Sequence, residues 1–211
     1  MFEPTNLVRG AFLLLVVAAC YFIPDHVVLF RTHAVPLTFI DRWVELDPKW
    51  IWFYVSYYPL LIVAFFLTTG HAAQKVYYES MILSALVGLF VFWLFPTEVP
   101  RDIYAWHGTF DRSADLLEYI RRADRNVNCA PSMHVGMSFL AAAAISLVTK
   151  WRGRTVVWAL FLAICFSTMA VKQHYFVDLV AGLGLGLVTF AIMLRRHGLL
   201  LKPAERILQT T

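Results

Sequence analysis

Apolar and polar positions in this chain come in blocks rather than in alternation. Six blocks are apolar: residues 7–23, stopped by Pro24 and Asp25; 50–69, ended by Gly70; 76–95, with Glu79 near its start and Pro96 after it; 132–148, before Lys150; 155–171; and 175–194, ended by Arg195 and Arg196. Crossing the hydrocarbon core of a bilayer takes about 20 mostly apolar residues in a helix. The pattern therefore predicts an all-α integral membrane protein, a bundle of six transmembrane helices whose polar ends sit in the interface. Two connections are long. Residues 31–49 mix Pro36, Phe39, Trp43 and Leu46 with charges, as suits a segment lying along the headgroups. Residues 97–131 form the longest polar stretch. Within it, residues 111–122 read as an amphipathic helix: Leu116, Leu117 and Ile120 share a face, acids come early, and Arg121 and Arg122 come late. This predicts an interfacial helical loop between the third and fourth spans, covering one end of the bundle.

Composition strengthens the membrane reading. Of 211 residues, 60% are hydrophobic and 15% charged, and the mean hydropathy is +0.64. A soluble domain is nearer half apolar and a quarter charged. Low charge and 16% aromatic residues exclude disorder, and three cysteines cannot all pair in a disulfide scaffold. A net charge of +4 fits anionic headgroups better than nucleic acid, because the basic residues fall at the ends of apolar runs. For the first block a secretory leader is the alternative, since Val17-Ala18-Ala19-Cys20 looks like a lipoprotein processing box. Apolar sequence past Cys20 and the acidic Glu3 argue for a retained span. The whole of residues 1–211 then reads as one membrane-embedded domain. With the amino terminus inside, the 18 basic residues divide equally between the two faces. Their density around Lys150, Arg152 and Arg154, against outer arginines mixed with acids, favours that orientation. Gly182, Gly184 and Gly186 lie inside an apolar run with no strand before them, so close helix packing is expected there rather than a phosphate loop.

The chemistry gathers at span edges, where ionisable residues need a reason. His134 opens the fourth span in Pro131-Ser132-Met133-His134, and His174 and Asp178 open the sixth. Two spans separate them, so both begin at the same face, where Arg101 also emerges. His174 and Asp178 are neighbours on a helix, and a carboxylate there would fix the imidazole tautomer and free the other nitrogen to attack. His134 would protonate a leaving oxygen. Arg101, Arg125 and Lys172 would supply charge, and Ser132 with the backbone at the fourth helix start would add donors, for a phosphoryl group. A proton relay or a metal-binding pair remains an alternative for His174 and Asp178. A channel or transporter, however, predicts polar groups along a path across the membrane, and here they gather at one face.

At these residues the sequence resembles the type 2 phosphatidic acid phosphatase superfamily of integral membrane lipid phosphatases. Its Pro-Ser-Gly-His is here Pro131-Ser132-Met133-His134. Its Ser-Arg, five residues, His, three residues, Asp is here Ser167-Thr168, five residues, His174, three residues, Asp178. The resemblance implies that His174 attacks phosphorus, Asp178 orients it and His134 protonates the departing lipid alkoxide, with no metal or cofactor. The family's first motif is replaced by residues 95–101, and Thr168 stands where the family has Arg, with Lys172 nearby as a substitute charge. Asp124-Arg125, residues 128–134, Pro36-Leu37 and residues 54–61 are similar to the branch containing inositol phosphorylceramide synthases and related bacterial proteins. The expectation is a lipid phosphatase, or alternatively a headgroup phosphotransferase, acting on a lipid phosphate or phospholipid. It also places the protein in a bacterial cytoplasmic membrane with the site at the outer face.

Overall fold

The computed structural model describes residues 4–101, 104, 108 and 111–199. Two basic residues used for orientation, Lys202 and Arg206, lie outside them. In chain order the elements are α1 (Pro4–His26), β1 (His33–Ala34), α2 (Phe39–Trp43), a 3-10 turn (Pro48–Trp50), α3 (Ile51–Val55), α4 (Tyr57–Leu67), α5 (Ala72–Leu94), β2 (Thr97–Glu98), α6 (Arg112–Ala123), α7 (Met133–Val148), α8 (Trp151–Ala170) and α9 (Phe176–Arg196). Among the described residues, five stretches are long and apolar enough to cross a membrane: Asn6–His26, Pro48–Leu67, Ala72–Leu94, Trp151–Ala170 and Phe176–Arg196. They are consistent with an all-α integral membrane protein. The fourth expected run forms α7 close to its expected bounds, but as a shorter apolar helix of 16 residues. Every residue from Met133 to Ile145 is buried, because α7 is the axis against which α4, α5, α8 and α9 pack.

Two local departures from the sequence pattern have backbone causes. The second run is not one helix but breaks at Ser56 between α3 and α4. Pro59 lacks the N–H that would bond the Val55 carbonyl, and its ring crowds that carbonyl, so the ladder is interrupted one turn earlier. Three loops at one end of the bundle are stitched by a small parallel ladder, with His33 opposite Thr97 and Ala34 opposite Glu98. Residues 127–129 add to it: Thr97 N–H donates to the Val127 carbonyl (3.2 Å) and Cys129 N–H to the Thr97 carbonyl (3.1 Å). Irregular backbone near a membrane must satisfy its own polar groups, and this clip does so for segments that no helix serves.

The amphipathic helix forms as α6. Asp111 is its N-cap, accepting from Ser113 N–H (2.9 Å) and Ala114 N–H (3.1 Å), and these bonds hold its carboxyl below the ordinary aspartate range. Leu117 is buried with Ile51, Tyr54 and Val171, and Leu116 and Ile120 pack against them. α6 thus covers the bundle end over α3 and the turn after α8. Ahead of it, Phe39 and Trp43 of α2 are 81% and 84% exposed.

The glycine-rich run of α9 is a packing seam against α7. A Cβ on Gly182 would lie 2.2 Å from the Ser132 carbonyl oxygen, and one on Gly186 would lie 2.8 Å from the Gly136 carbonyl oxygen, whereas one on Gly184 would meet nothing within 4 Å. Backbone thus approaches backbone at the start of α7. Gly182→Ala is expected to lower stability by about 3 kcal/mol, at the upper end of overpacking costs, because a carbonyl cannot move aside as a side chain does. Gly184→Ala should be neutral. Thermal unfolding in detergent of the two single variants checks the contrast.

Candidate active site

The turn that carries His174 is built by the end of α8. Thr168 offers its carbonyl to both Gln173 N–H (3.0 Å) and His174 N–H (3.1 Å). Lys172 takes the left-handed conformation (φ 56°) that ends a helix and redirects the chain. Its ammonium donates to the carbonyls of Asp41 (2.9 Å) and Val44, at the end of α2. It also lies 4.7 Å from the Tyr104 ring centre. Burial lowers the Lys172 pKa below the ordinary lysine value, and the charges of Asp41 and Glu45 oppose that shift.

Past the turn, α9 begins with its first donors occupied by carboxylates. Tyr175 N–H donates to Asp178 Oδ2 (2.9 Å), and Phe176 N–H donates to Asp41 Oδ1 (2.7 Å). Asp41 Oδ2 accepts from Thr38 N–H (2.8 Å) and from its hydroxyl (2.7 Å). This buried carboxylate, 135 residues away in sequence, therefore fastens α2 to the helix that carries Asp178. Removing it in Asp41→Ala leaves the Phe176 donor unpaired at a half-buried position, a loss of about 2–3 kcal/mol for bonds to a charged acceptor. The expected outcome is a lower melting temperature in detergent, and Asp41→Asn should recover part of it by keeping an acceptor oxygen.

His174, Asp178 and His134 are all buried. His174 Nδ1 lies 3.5 Å from Asp178 Oδ2, within ion-pair reach and longer than a good hydrogen bond. Across from them, His134 projects from the first turn of α7. Its ring is sandwiched between Tyr54 (ring centres 4.2 Å apart) and Tyr57 (4.3 Å), and its centre is 5.9 Å from that of His174. His134 Nε2, His174 Nδ1, Asp178 Oδ1 and both polar atoms of the Gln173 side chain are buried without a hydrogen-bond partner among the described residues. Ser132 joins the two helices: its N–H donates to the Asp178 carbonyl (3.0 Å), while its hydroxyl oxygen caps α7 by accepting from Val135 N–H (3.4 Å). Two imidazoles, one backed by a carboxylate, thus face each other at the ends of two helices that run the same way.

A family model described as the PAP2 superfamily matches residues 23–192. The chain belongs to the PAP2 superfamily. No curated protein matches it. Membership supports phosphatase or phosphotransferase chemistry on lipid phosphates, and the apolar helices are consistent with a lipid substrate met in the membrane. All the residues expected from the sequence to form the site fall within the matched region.

The cations expected beside this PAP2 site differ in where the structure puts them. Arg101 is 9% exposed and donates to the Asp124 carbonyl (3.1 Å) and Oδ2 (3.2 Å), with its Nε buried and without a hydrogen-bond partner among the described residues. Asp124 also accepts from the Tyr21 hydroxyl (3.2 Å). Arg125 is exposed and turns towards α1: its backbone N–H donates to Asp25 Oδ2 (3.2 Å) and its guanidinium to the His26 carbonyl (3.5 Å). Lys172 faces α2, as described. Cys129 is a packing residue: burial first, then the charge of Asp178, pushes its thiol well above the ordinary cysteine range, and Sγ–H donates to Asn126 Oδ1 (2.8 Å).

Sequence reasoning misses Tyr54, Tyr57 and Asp41. Tyrosines inside an apolar run read as core; the resemblance of residues 54–61 marks the segment without giving the two rings a role, and Pro59 is the local sign of the break between them. Asp41 has no local signal beyond Thr38 three residues before it, a capping pair for α2.

Proposed function

We propose that this protein is a membrane-embedded, metal-independent lipid phosphatase that works through a phosphohistidine on His174. The observation that carries the reading is the pair of buried imidazoles 5.9 Å apart, one of them beside a buried carboxylate. An attacking nitrogen approaches phosphorus at about 3–3.5 Å, and a proton donor sits about 2.6–3.2 Å from the leaving oxygen. One tetrahedral group spans rings at this separation.

In the first half-reaction the His174 Nε2 lone pair forms the N–P bond as the P–O bond to the lipid breaks, and the lipid alkoxide takes a proton from His134. Asp178, on the Nδ1 side, fixes the tautomer and stabilises the charge that develops on the ring. In the second, water attacks phosphorus, His134 takes its proton, the N–P electrons return to His174, and phosphate leaves. Arg101, whose buried Nε has no hydrogen-bond partner among the described residues, would balance the oxygens, with Ser132 and the first amides of α7 as donors. Arg125 and Lys172 bind phosphate only if they leave the carbonyls they hold here. Otherwise they position the loop and the His174 turn.

The reading counts α7 as a sixth crossing. Its 16 residues span about 24 Å as a helix, and capped ends with interfacial neighbours complete the crossing. α6 then lies at the outer face of a cytoplasmic membrane, above the site. Headgroup phosphotransfer, as in the inositol phosphorylceramide synthase-like branch, shares the first half-reaction and puts a lipid hydroxyl in the place of water. A groove of about 620 Å³, lined by Val35, Val87, Val91 and Ala181 together with Pro131 and Val177, the chain neighbours of Ser132 and Asp178, offers space for that second lipid.

Detergent-solubilised protein, with chelator present, should be incubated with phosphatidic acid, polyprenyl phosphates and intact phospholipids. Free phosphate from a lipid monophosphate is the expected product. A new phospholipid without free phosphate would assign transfer, and loss of activity with chelator would overturn the metal-free mechanism.

A further inference from the structure

A second cavity, of about 220 Å³, lies between α1, α4, α5 and α7, with His134 in its wall. Its outer rim is Leu14 and Phe22 of α1 and Tyr58 of α4, which are 44%, 48% and 53% exposed. Val17 and Ala18 of α1 and Ala85 of α5 line it further in. Of its polar groups, Tyr21 is bonded to Asp124 and Tyr57 donates to Met137 Sδ (3.4 Å). His134 Nε2 is buried without a hydrogen-bond partner among the described residues.

We infer that this groove holds one hydrocarbon chain of the leaving alcohol, and that α1 selects the lipid by its fit to that chain. The inference rests on the proposed reaction, in which His134 protonates the departing oxygen. Whatever is attached to that oxygen starts at His134, and the groove is the apolar space with His134 in its wall. Its volume is below the ~300–1,000 Å³ of sites that enclose a drug-sized ligand. It therefore suits a segment of a single chain, and the exposed rim lets the rest of a long chain continue into the bilayer. A headgroup is excluded by chemistry, since an apolar wall would leave its hydroxyls unpaired. The six α1 residues that line the groove precede residue 23, where the family match begins. The reaction is thus carried by the matched region, and chain selection lies largely on a helix ahead of it.

The test is a series of butyl, hexyl, octyl and decyl phosphates. Each methylene that enters the groove should raise kcat/KM about fourfold, the equivalent of burying one CH₂, with a plateau once the groove is full. Ala18→Trp narrows the groove from its α1 wall and should lower the decyl-to-butyl ratio by on the order of tenfold or more, whereas Val188→Trp, on the exposed face of α9, should leave the ratio as in the wild type. Should Ala18→Trp fail to fold, Val17→Phe fills the same wall. A second readout is independent of turnover: decyl phosphate with a terminal diazirine, photolysed on the His174→Ala variant, should label peptides containing residues 14–22. An unchanged ratio in a folded Ala18→Trp or Val17→Phe variant, or label on α9 in place of α1, overturns the assignment. Labelling of α1 with no phosphate released from any member of the series by the wild type would keep the groove as a chain site and remove the proposed reaction.

Discussion

His174→Ala is expected to lower phosphate release from a lipid phosphate by on the order of 10⁴-fold or more, as removal of a covalent nucleophile does. The protein should remain folded. His174 Nδ1 has no hydrogen-bond partner among the described residues and only a 3.5 Å contact to Asp178, while the surrounding turn is held by backbone bonds to Thr168 and by the bond from Phe176 N–H to Asp41. A melting temperature close to that of the wild type, with turnover lost, separates chemistry from scaffolding. Turnover within tenfold of wild type would mean that this imidazole does not attack phosphorus. The same substitution should abolish any headgroup transfer, because both outcomes depend on one N–P bond.

His134→Asn is expected to lower turnover of alkyl phosphates by about 10²–10⁴-fold, the range for losing a general acid. The effect should depend on the leaving group. A lipid alkoxide is strongly basic and must be protonated as it departs, whereas a nitrophenolate leaves without help. On p-nitrophenyl phosphate the first-turnover burst of nitrophenolate should therefore fall much less, although steady-state turnover drops because His134 also serves the water step. An equal loss on both substrates would assign His134 to binding or structure, a real competitor given the tyrosines stacked on each side of it. Single-turnover kinetics of wild type and variant on the two substrate classes, following release of the alcohol or nitrophenolate, provides the measurement.

The meeting of His134 and His174 at one end of the bundle is legible in the sequence. It follows from counting: two spans between two polar motifs return the chain to the same face. Asp178 does lie beside His174, but His174 sits in the turn before α9 and not on the helix as the spacing suggests. The glycine seam is legible for a similar reason, since small residues four apart in an apolar run have few uses other than close helix contact. What escapes the pattern is whatever depends on long-range or rotameric detail. Asp41 reaches Phe176 across 135 residues, and no periodicity encodes that contact. Lys172 carries the right charge at the right place in the chain, yet its left-handed backbone directs the ammonium to α2 carbonyls. α7 falls short of the other candidate spans because it is surrounded by protein, and residues buried on all sides need not match the thickness of lipid.

The most direct measurement is a rapid acid-free quench of the protein with a lipid phosphate, followed by mass spectrometry of its peptides. The account predicts an acid-labile, base-stable phosphate on the peptide containing His174, absent from His174→Ala and accumulating in His134→Asn with p-nitrophenyl phosphate, because His134 also activates the water that discharges it. A phosphate found on His134 instead, or full turnover through many cycles with no phosphohistidine at any time, would contradict it.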